Sequence, residues 1–244
     1  MQALMLAAGM GKRLAKFTQD NTKCMVEVNG KKLIERTIDI LKQNEINKLV
    51  IVAGYKKENL KKYVQDNVKD IEVVFIDNDE YATSNNIYSL YLAKEYLECD
   101  DTLLLESDLI YEEGLIKKIL TNENKNLAAV AKYEKWMDGT VVEIDNNNNI
   151  KAFIEKKDFQ VDKENEYYKT INIYKLSKEF SQKEFLPFLK TFMDVYGKNE
   201  YYELAFKILA NLGRTDLKAQ IIEEINWYEI DNEQDLNMAN QLFK

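Results

Sequence analysis

The sequence predicts an α/β protein, built on a mixed, mainly parallel sheet with helices on both faces and a small antiparallel layer added to it. Short apolar runs without helical periodicity, at residues 3–8, 49–53, 71–76, 102–108 and 127–131, read as buried strands. Segments with helical spacing stand between them, so strands and helices alternate as parallel βαβ units require. After residue 132 the pattern changes to alternating strands around an asparagine tract, which suits an antiparallel hairpin.

The first strand runs straight into Gly9-Met10-Gly11-Lys12-Arg13-Leu14, with Thr22-Lys23 shortly after. Small residues at Ala7, Ala8, Gly9 and Gly11 allow backbone N–H groups to approach an anion and form a nest that needs no charged side chain. Lys12, Arg13 and Lys23 supply cations, Arg as a bidentate grip and Lys as a movable point charge. The spacing fits neither G-x-x-x-x-G-K-[ST] nor G-x-G-x-x-G. An ordinary strand-to-loop turn is the plain alternative, and the downstream cations favour phosphate.

Residues 24–28 and the Asn29-Gly30 pair then predict a short strand and tight turn, followed by an amphipathic helix ending near Asn44. The second strand ends at Gly54. A helix over 57–64 leads to the third strand, and Ser84 or Asn85 caps a helix running to about Tyr96. The fourth strand finishes in Glu106-Ser107-Asp108, where the Asp is either a turn former or a ligand. Beyond the hairpin come a strand over 167–174, helices over 177–195 (bent by Pro187) and 201–212, strands over 219–223 and 227–230, and a closing helix capped by residues 231–233. The division expected is one domain, with a core at 1–131, an insertion at 132–175 and C-terminal helices and a strand at 176–244.

Composition narrows the chemistry. A net charge of −8 argues against nucleic acid as a partner. No histidine is present, which excludes Ser-His-Asp and Cys-His nucleophilic systems and histidine-based zinc sites. Chemistry that needs only positioning and charge neutralisation, such as phosphoryl or nucleotidyl transfer, survives. No apolar run is long enough to span a bilayer, and the first strand lacks the charged start of a secretory signal, so a cytoplasmic protein with no membrane partner is expected. Cys24 and Cys99 read as free thiols.

Leu6-Ala7-Ala8-Gly9-x-Gly11-x-Arg13-Leu14, with Lys23 about ten residues on, resembles the nucleotidyltransferase superfamily that acts on sugar phosphates and phosphocholine-type acceptors. The chain departs from the pattern at Thr22, where the family usually has Pro, and at Lys12. Asn85-Asn86-Ile87-Tyr88-Ser89-Leu90, Lys135 to Val142 and Tyr168 to Tyr174 resemble the branch that loads CMP onto phosphocholine or 2-aminoethylphosphonate. The resemblance implies a Rossmann-like, GT-A-like nucleotidyltransferase fold that binds CTP and Mg²⁺, with Asp108 and Asp231 as metal ligands and Arg13 and Lys23 as the catalytic cations. It implies nucleotide contacts from Leu6, Ala7, Ala8, Gly9, Gly11, Lys12, Gly54, Asn85, Asn86, Ser89 and Glu106. Acceptor contacts fall to Trp136, Asp138, Glu155 and Lys156, with Trp136 and Asp138 suited to an ammonium group. Asp231 is equally suited to capping the last helix, and Lys156 to a solvated strand end.

The expected reaction is magnesium-dependent transfer of CMP from CTP to a small phosphorylated or phosphonylated amine, by a monomer or homodimer. Acceptors in view are 2-aminoethylphosphonate, phosphocholine and a phosphorylated amino acid amide. A sugar-1-phosphate nucleotidyltransferase is the enzymatic alternative, and a regulatory protein that keeps the fold without turnover is the non-enzymatic one.

Overall fold

A computed structural model describes residues 1–244, the side chain of Ala15 excepted. Its strands are β1 (Gln2–Ala7), β2 (Glu27–Val28), β3 (Lys31–Lys32), β4 (Lys48–Ala53), β5 (Glu72–Asp77), β6 (Thr102–Glu106), β7 (Leu109–Tyr111), β8 (Leu127–Lys132), β9 (Val141–Ile144), β10 (Ile150–Ile154), β11 (Tyr168–Leu176), β12 (Lys218–Ile221) and β13 (Trp227–Glu229). Nine of them form one sheet in the order β10-β9-β11-β6-β1-β4-β5, with β8 on β11 and β12 on β8.

The expected parallel core is present: β6, β1, β4 and β5 run parallel, with β1 at the centre fully buried. β11 joins β6 antiparallel and also pairs with β8 and β9, so the hairpin β9–β10 extends this same sheet. The antiparallel layer is therefore a continuation of the core sheet. Alternation along each strand feeds two apolar clusters, one on each face. Ala3, Met5 and Ala7 pack on one face with the helix Leu33–Gln43, while Leu4 and Leu6 face the other with Leu90, Tyr174 and Phe206. The β1 run alone buries six consecutive residues, of which Leu4, Met5 and Leu6 are each worth about 1.5–3 kcal/mol if fully desolvated.

Several local expectations need correction. Residues 23–25 form a 3₁₀ turn, leaving only β2 before the Asn29-Gly30 turn, whose positive φ values (49° and 76°) fit a tight hairpin. The helix expected to Tyr96 breaks at Ala93 into Asn86–Leu92 and Lys94–Cys99, with Asn85 as the cap that accepts from Asn86 N–H. The helix expected over 177–195 carries a π turn at Ser181–Phe185, and Pro187 stands directly after that turn within a helical run that continues to Tyr196, where the regular hydrogen-bond ladder is already interrupted. Asn232, not Asp231, caps the last helix Glu233–Leu242, accepting from Gln234 and Asp235 N–H. No helix is long and apolar enough to cross a membrane among the described residues.

Candidate active site

Beyond the carboxyl ends of β1 and β6 lies a cavity of about 650 Å³, the place where open α/β sheets bind ligands. One end is lined by Leu6, Ala8, Gly9, Gly11, Lys12 and Arg13. The turn is real: Gly11 has φ +59°, and a Cβ there would stand 2.9 Å from Lys23 Cγ, so only glycine fits. Nothing lies within 4 Å of a Cβ built on Gly9, which leaves an open approach to its backbone.

The next wall comes from the segment after β5. Asn78, Tyr81, Ser84, Asn85, Asn86 and Ser89 all line the cavity. Their polar groups are largely committed to one another. Asn78 Nδ2 donates to Ser84 and Ser89 hydroxyls at 3.2 and 3.0 Å, and Asn86 accepts from Tyr202 N–H (3.0 Å) while its amide reaches Glu106 at 3.4 Å. Asn86 thus ties the C-terminal segment to the end of β6, a supporting role that amide chemistry alone did not reveal.

At the centre, Lys23 Nζ lies 2.8 Å from Asp108 Oδ2 and 2.5 Å from Asp231 Oδ1, and Arg13 lies 2.8 Å from the other oxygen of Asp231. Two carboxylates 123 positions apart in sequence (231 − 108) are brought together because β13, which precedes Asp231, pairs with β7, which follows Asp108. Ile230 N–H also donates to Asp108 carbonyl oxygen at 2.9 Å. Burial works against the Lys23 ammonium, but the two aspartates outweigh it and push its pKa up. Glu229 joins them: Asp108, Glu229 and Asp231 each offer an oxygen, and these lie within 4.8 Å of one another. That all-oxygen set, already holding an ammonium between two of its members, has the chemistry of a hard divalent cation site.

The third wall is the antiparallel layer, supplying Asp138, Gly139, Thr140, Phe153, Glu155 and Lys156, with Lys169 and Asn172 from β11. Lys156 pairs with Asp138 at 2.9 Å on the rim and holds the Asp138 carboxyl below the usual range. Glu155 is engaged by Lys207 at 2.7 Å. Deeper in, burial pushes Glu106 well above the carboxylate range, with Asp108 and Glu203 adding to it, and burial raises Glu203 as well.

Three expected residues do not line the cavity. Ala7 points to the opposite face of β1 from Leu6 and Ala8 and is buried in the core. Gly54 lies underneath: a Cβ on it would stand 2.6 Å from Tyr81 Cβ and 2.9 Å from Ala8 O, so it lets the β4 end slide beneath the cradle. Trp136 is half exposed outside the cavity, stacked on Tyr228 with ring centroids 4.8 Å apart and planes 2° apart. Sequence reasoning missed Glu229 and Lys169. Both sit on strands where a charge reads as an exposed position, and only the pairing of β13 with β7 and of β11 with β8 and β9 turns them inward.

A glycine cradle at the head of a parallel sheet, a carboxylate cluster beside it and a second lobe from an antiparallel extension define a nucleotidyl transferase. The chain belongs to that family, whose model matches residues 2–241. It is 40% identical over 121 residues to choline-phosphate cytidylyltransferase of Streptococcus pneumoniae, a match spanning 50% of each chain. It is 37% identical over 135 residues to CTP:phosphoglutamine cytidylyltransferase of Campylobacter jejuni, spanning 53% of this chain and 52% of the relative. It is also 25% identical along its full length to CMP-5'-(3-aminopropyl)phosphonate synthase of Streptomyces rubellomurinus, covering 39% of that protein. The matches thus span about half or less of these relatives. A solved structure of CTP:phosphocholine cytidylyltransferase from Streptococcus pneumoniae superposes with a TM-score of 0.80 at 25% identity, covering 100% of this chain and 99% of that one.

Proposed function

We propose that this protein is a magnesium-dependent cytidylyltransferase that moves CMP from CTP to a small amine-bearing phosphate or phosphonate, releasing pyrophosphate. The observation that carries the reading is one cavity with a phosphate cradle at one end, the Asp108–Glu229–Asp231 cluster in the middle and a separate lobe for a second ligand at the other. The likeness to three proteins named for CMP transfer to phosphocholine, phosphoglutamine and an aminoalkylphosphonate supports the base and the acceptor class.

In the reaction, an acceptor oxygen forms a bond to the α-phosphorus while the bond from that phosphorus to the bridging oxygen breaks, and the electron pair leaves with pyrophosphate. The acceptor is already an anion, so no protein nucleophile or general base is needed, consistent with a chain that has no histidine. The nest over Ala8, Gly9 and Gly11 receives the triphosphate through backbone N–H groups. Arg13, Lys12 and Lys23 offset its charge, with Arg13 and Lys23 placed beside the carboxylate cluster to steady charge on the transferring group. Asn85, Ser89 and Glu106 shape the nucleoside end, which Asn86 braces. A Mg²⁺ held by Asp108 and Asp231, with Glu229 as a third oxygen donor, would supply charge neutralisation and orientation of phosphate oxygens. Asp138, Glu155 and Lys156 form the outer acceptor wall, and Asp138 offers the ammonium group a charge partner.

Pyrophosphate release tests the reading, with CTP, UTP, dTTP and ATP each offered 2-aminoethylphosphonate, phosphocholine, phosphorylated glutamine and sugar 1-phosphates. Release is expected with CTP and one of the three amine-bearing acceptors. Release only with UTP or dTTP and a sugar phosphate, or with no pair at all, refutes it.

A further inference from the structure

Lys169 is the charged residue least accounted for in the cavity wall. It is the second residue of β11, paired with Ala131 of β8 and Val141 of β9, and only 2% of it is exposed. An ammonium has three donors and accepts nothing. Here Nζ donates to the Thr170 carbonyl at 2.6 Å, and the nearest carboxylate oxygen, Glu229 Oε2, stands 3.6 Å away, too far for a hydrogen bond. Taking an ammonium out of water costs several kcal/mol unless partners replace its hydration. Donor capacity is therefore left over on a buried cation that lines a ligand cavity.

Two neighbours give that spare capacity a direction. Gly139, with φ +97°, also lines the cavity, and a Cβ on it would stand 3.4 Å from both Cε and Nζ of Lys169. The chain thus passes the ammonium with bare backbone and keeps its surroundings open. On the other side Glu229 links Lys169 to Asp108 and Asp231, so this cation stands next to the carboxylate cluster. Lys156, by contrast, has a side chain 77% exposed and is already satisfied by Asp138 at the rim.

We propose that Lys169 is the cation that grips the acceptor's phosphate or phosphonate group and fixes its attacking oxygen beside the carboxylate cluster, with Gly139 providing the clearance. The inference rests on the reading above only for the acceptor's chemical class. Lys156 then serves the approach at the rim, and the anion's seat is the buried lysine on β11.

Calorimetric titration of the full chain tests this without turnover, using ethylphosphonate and 2-aminoethylphosphonate in the presence of Mg²⁺ and a non-hydrolysable CTP analogue. Lys169→Met is expected to weaken both phosphonates at least 30-fold while the affinity for the CTP analogue stays within about twofold. Lys156→Met is expected to cost less than Lys169→Met on the same ligands. Should Lys169→Met fail to fold, Gly139→Ala, which crowds Nζ, must weaken the phosphonates at least fivefold with CTP affinity kept. A fall in melting temperature with the phosphonate affinities unchanged would make Lys169 a structural counter-ion and overturn the proposal, as would a larger loss in Lys156→Met. Because the titration needs no chemistry, failure of every nucleotide and acceptor pair to release pyrophosphate would remove the cytidylyl-transfer reading and leave a phosphonate loss in Lys169→Met standing.

Discussion

Gly54→Ala separates support of the cradle from contact with the nucleotide. The added methyl would sit 2.6 Å from Tyr81 Cβ, 2.9 Å from Ala8 O and 3.0 Å from Ala8 Cβ, and none of these is the yielding end of a flexible side chain. Ala8 O is moreover already held by Tyr55 N–H at 3.1 Å. Overpacking of this kind costs about 1–3 kcal/mol. At about 2–4 °C per kcal/mol for a chain of this size, the melting temperature should fall by about 2–12 °C. The strain lands on Ala8 and Tyr81, which line the cavity where the proposed reaction seats CTP, so the KM for CTP should rise about tenfold with a smaller change for the acceptor. Gly9→Ala is the contrast: its Cβ meets no protein atom within 4 Å and its φ is not positive. Stability should stay within about 0.5 kcal/mol, while CTP binding falls because the methyl occupies the phosphate's approach. Differential scanning fluorimetry and steady-state pyrophosphate release measure both variants. An unchanged melting temperature in Gly54→Ala would refute the packing argument, and unchanged CTP affinity in Gly9→Ala would refute the nest.

Further outcomes follow from the site. Asp108→Asn should cut turnover at least 100-fold with the fold retained, checked by circular dichroism and by Mg²⁺ titration, and wild-type activity would place the metal elsewhere. Trp136→Ala should leave the acceptor's KM within about twofold, because the ring lies outside the cavity, and the stacking lost on Tyr228 should cost about 1 kcal/mol of stability; a tenfold rise in the acceptor's KM would place the ring on the ligand instead. Burial raises the Glu203 pKa in the folded protein, so its stabilising share is complete below the unfolded value and is lost as pH rises through the folded one. Glu203→Gln should therefore melt higher than wild type at pH 8 and alike near pH 4, and a lower melting temperature at pH 8 would contradict the sign.

The parallel half of the fold was legible because its strands are unbroken apolar runs, a signature that buried parallel strands share with little else of that length. The cradle was legible for a related reason: small residues and clustered cations leave few structural alternatives at the end of such a strand. Asp108 and Asp231 could be paired only through the resemblance to the family's metal-ligating aspartates, because position after a strand alone also suits a turn former or a helix cap. Glu229 and Lys169 could not be found, because a lone charge in a β pattern looks solvent-facing until its strand partners are known, and those partners lie 120 and 38 positions earlier (229 − 109 and 169 − 131). Gly54, expected to touch the nucleotide, lies beneath Ala8 and Tyr81 instead, since sequence distinguishes poorly between a glycine that admits a ligand and one that admits a neighbouring side chain. Trp136 illustrates the opposite limit. A ring in a polar stretch is conspicuous, but whether it faces a cavity or stacks on a neighbour depends on side-chain geometry that no pattern encodes.

β11 carries a consequence for how such a protein changes over time. Its last four residues pair with β6 of the parallel core, its first two pair with β9, and between them the register slips around Asn172, at φ +59°. The slip lets the two ends of the strand take different outer partners while β8 spans both. Insertions, deletions or new side chains in the segment that feeds β9 and β10 can thus accumulate without disturbing the hydrogen-bond register of the core. Under the proposed reaction, a lineage could exchange one acceptor for another by redrawing that outer lobe, while the cradle at the head of the parallel core descends unaltered.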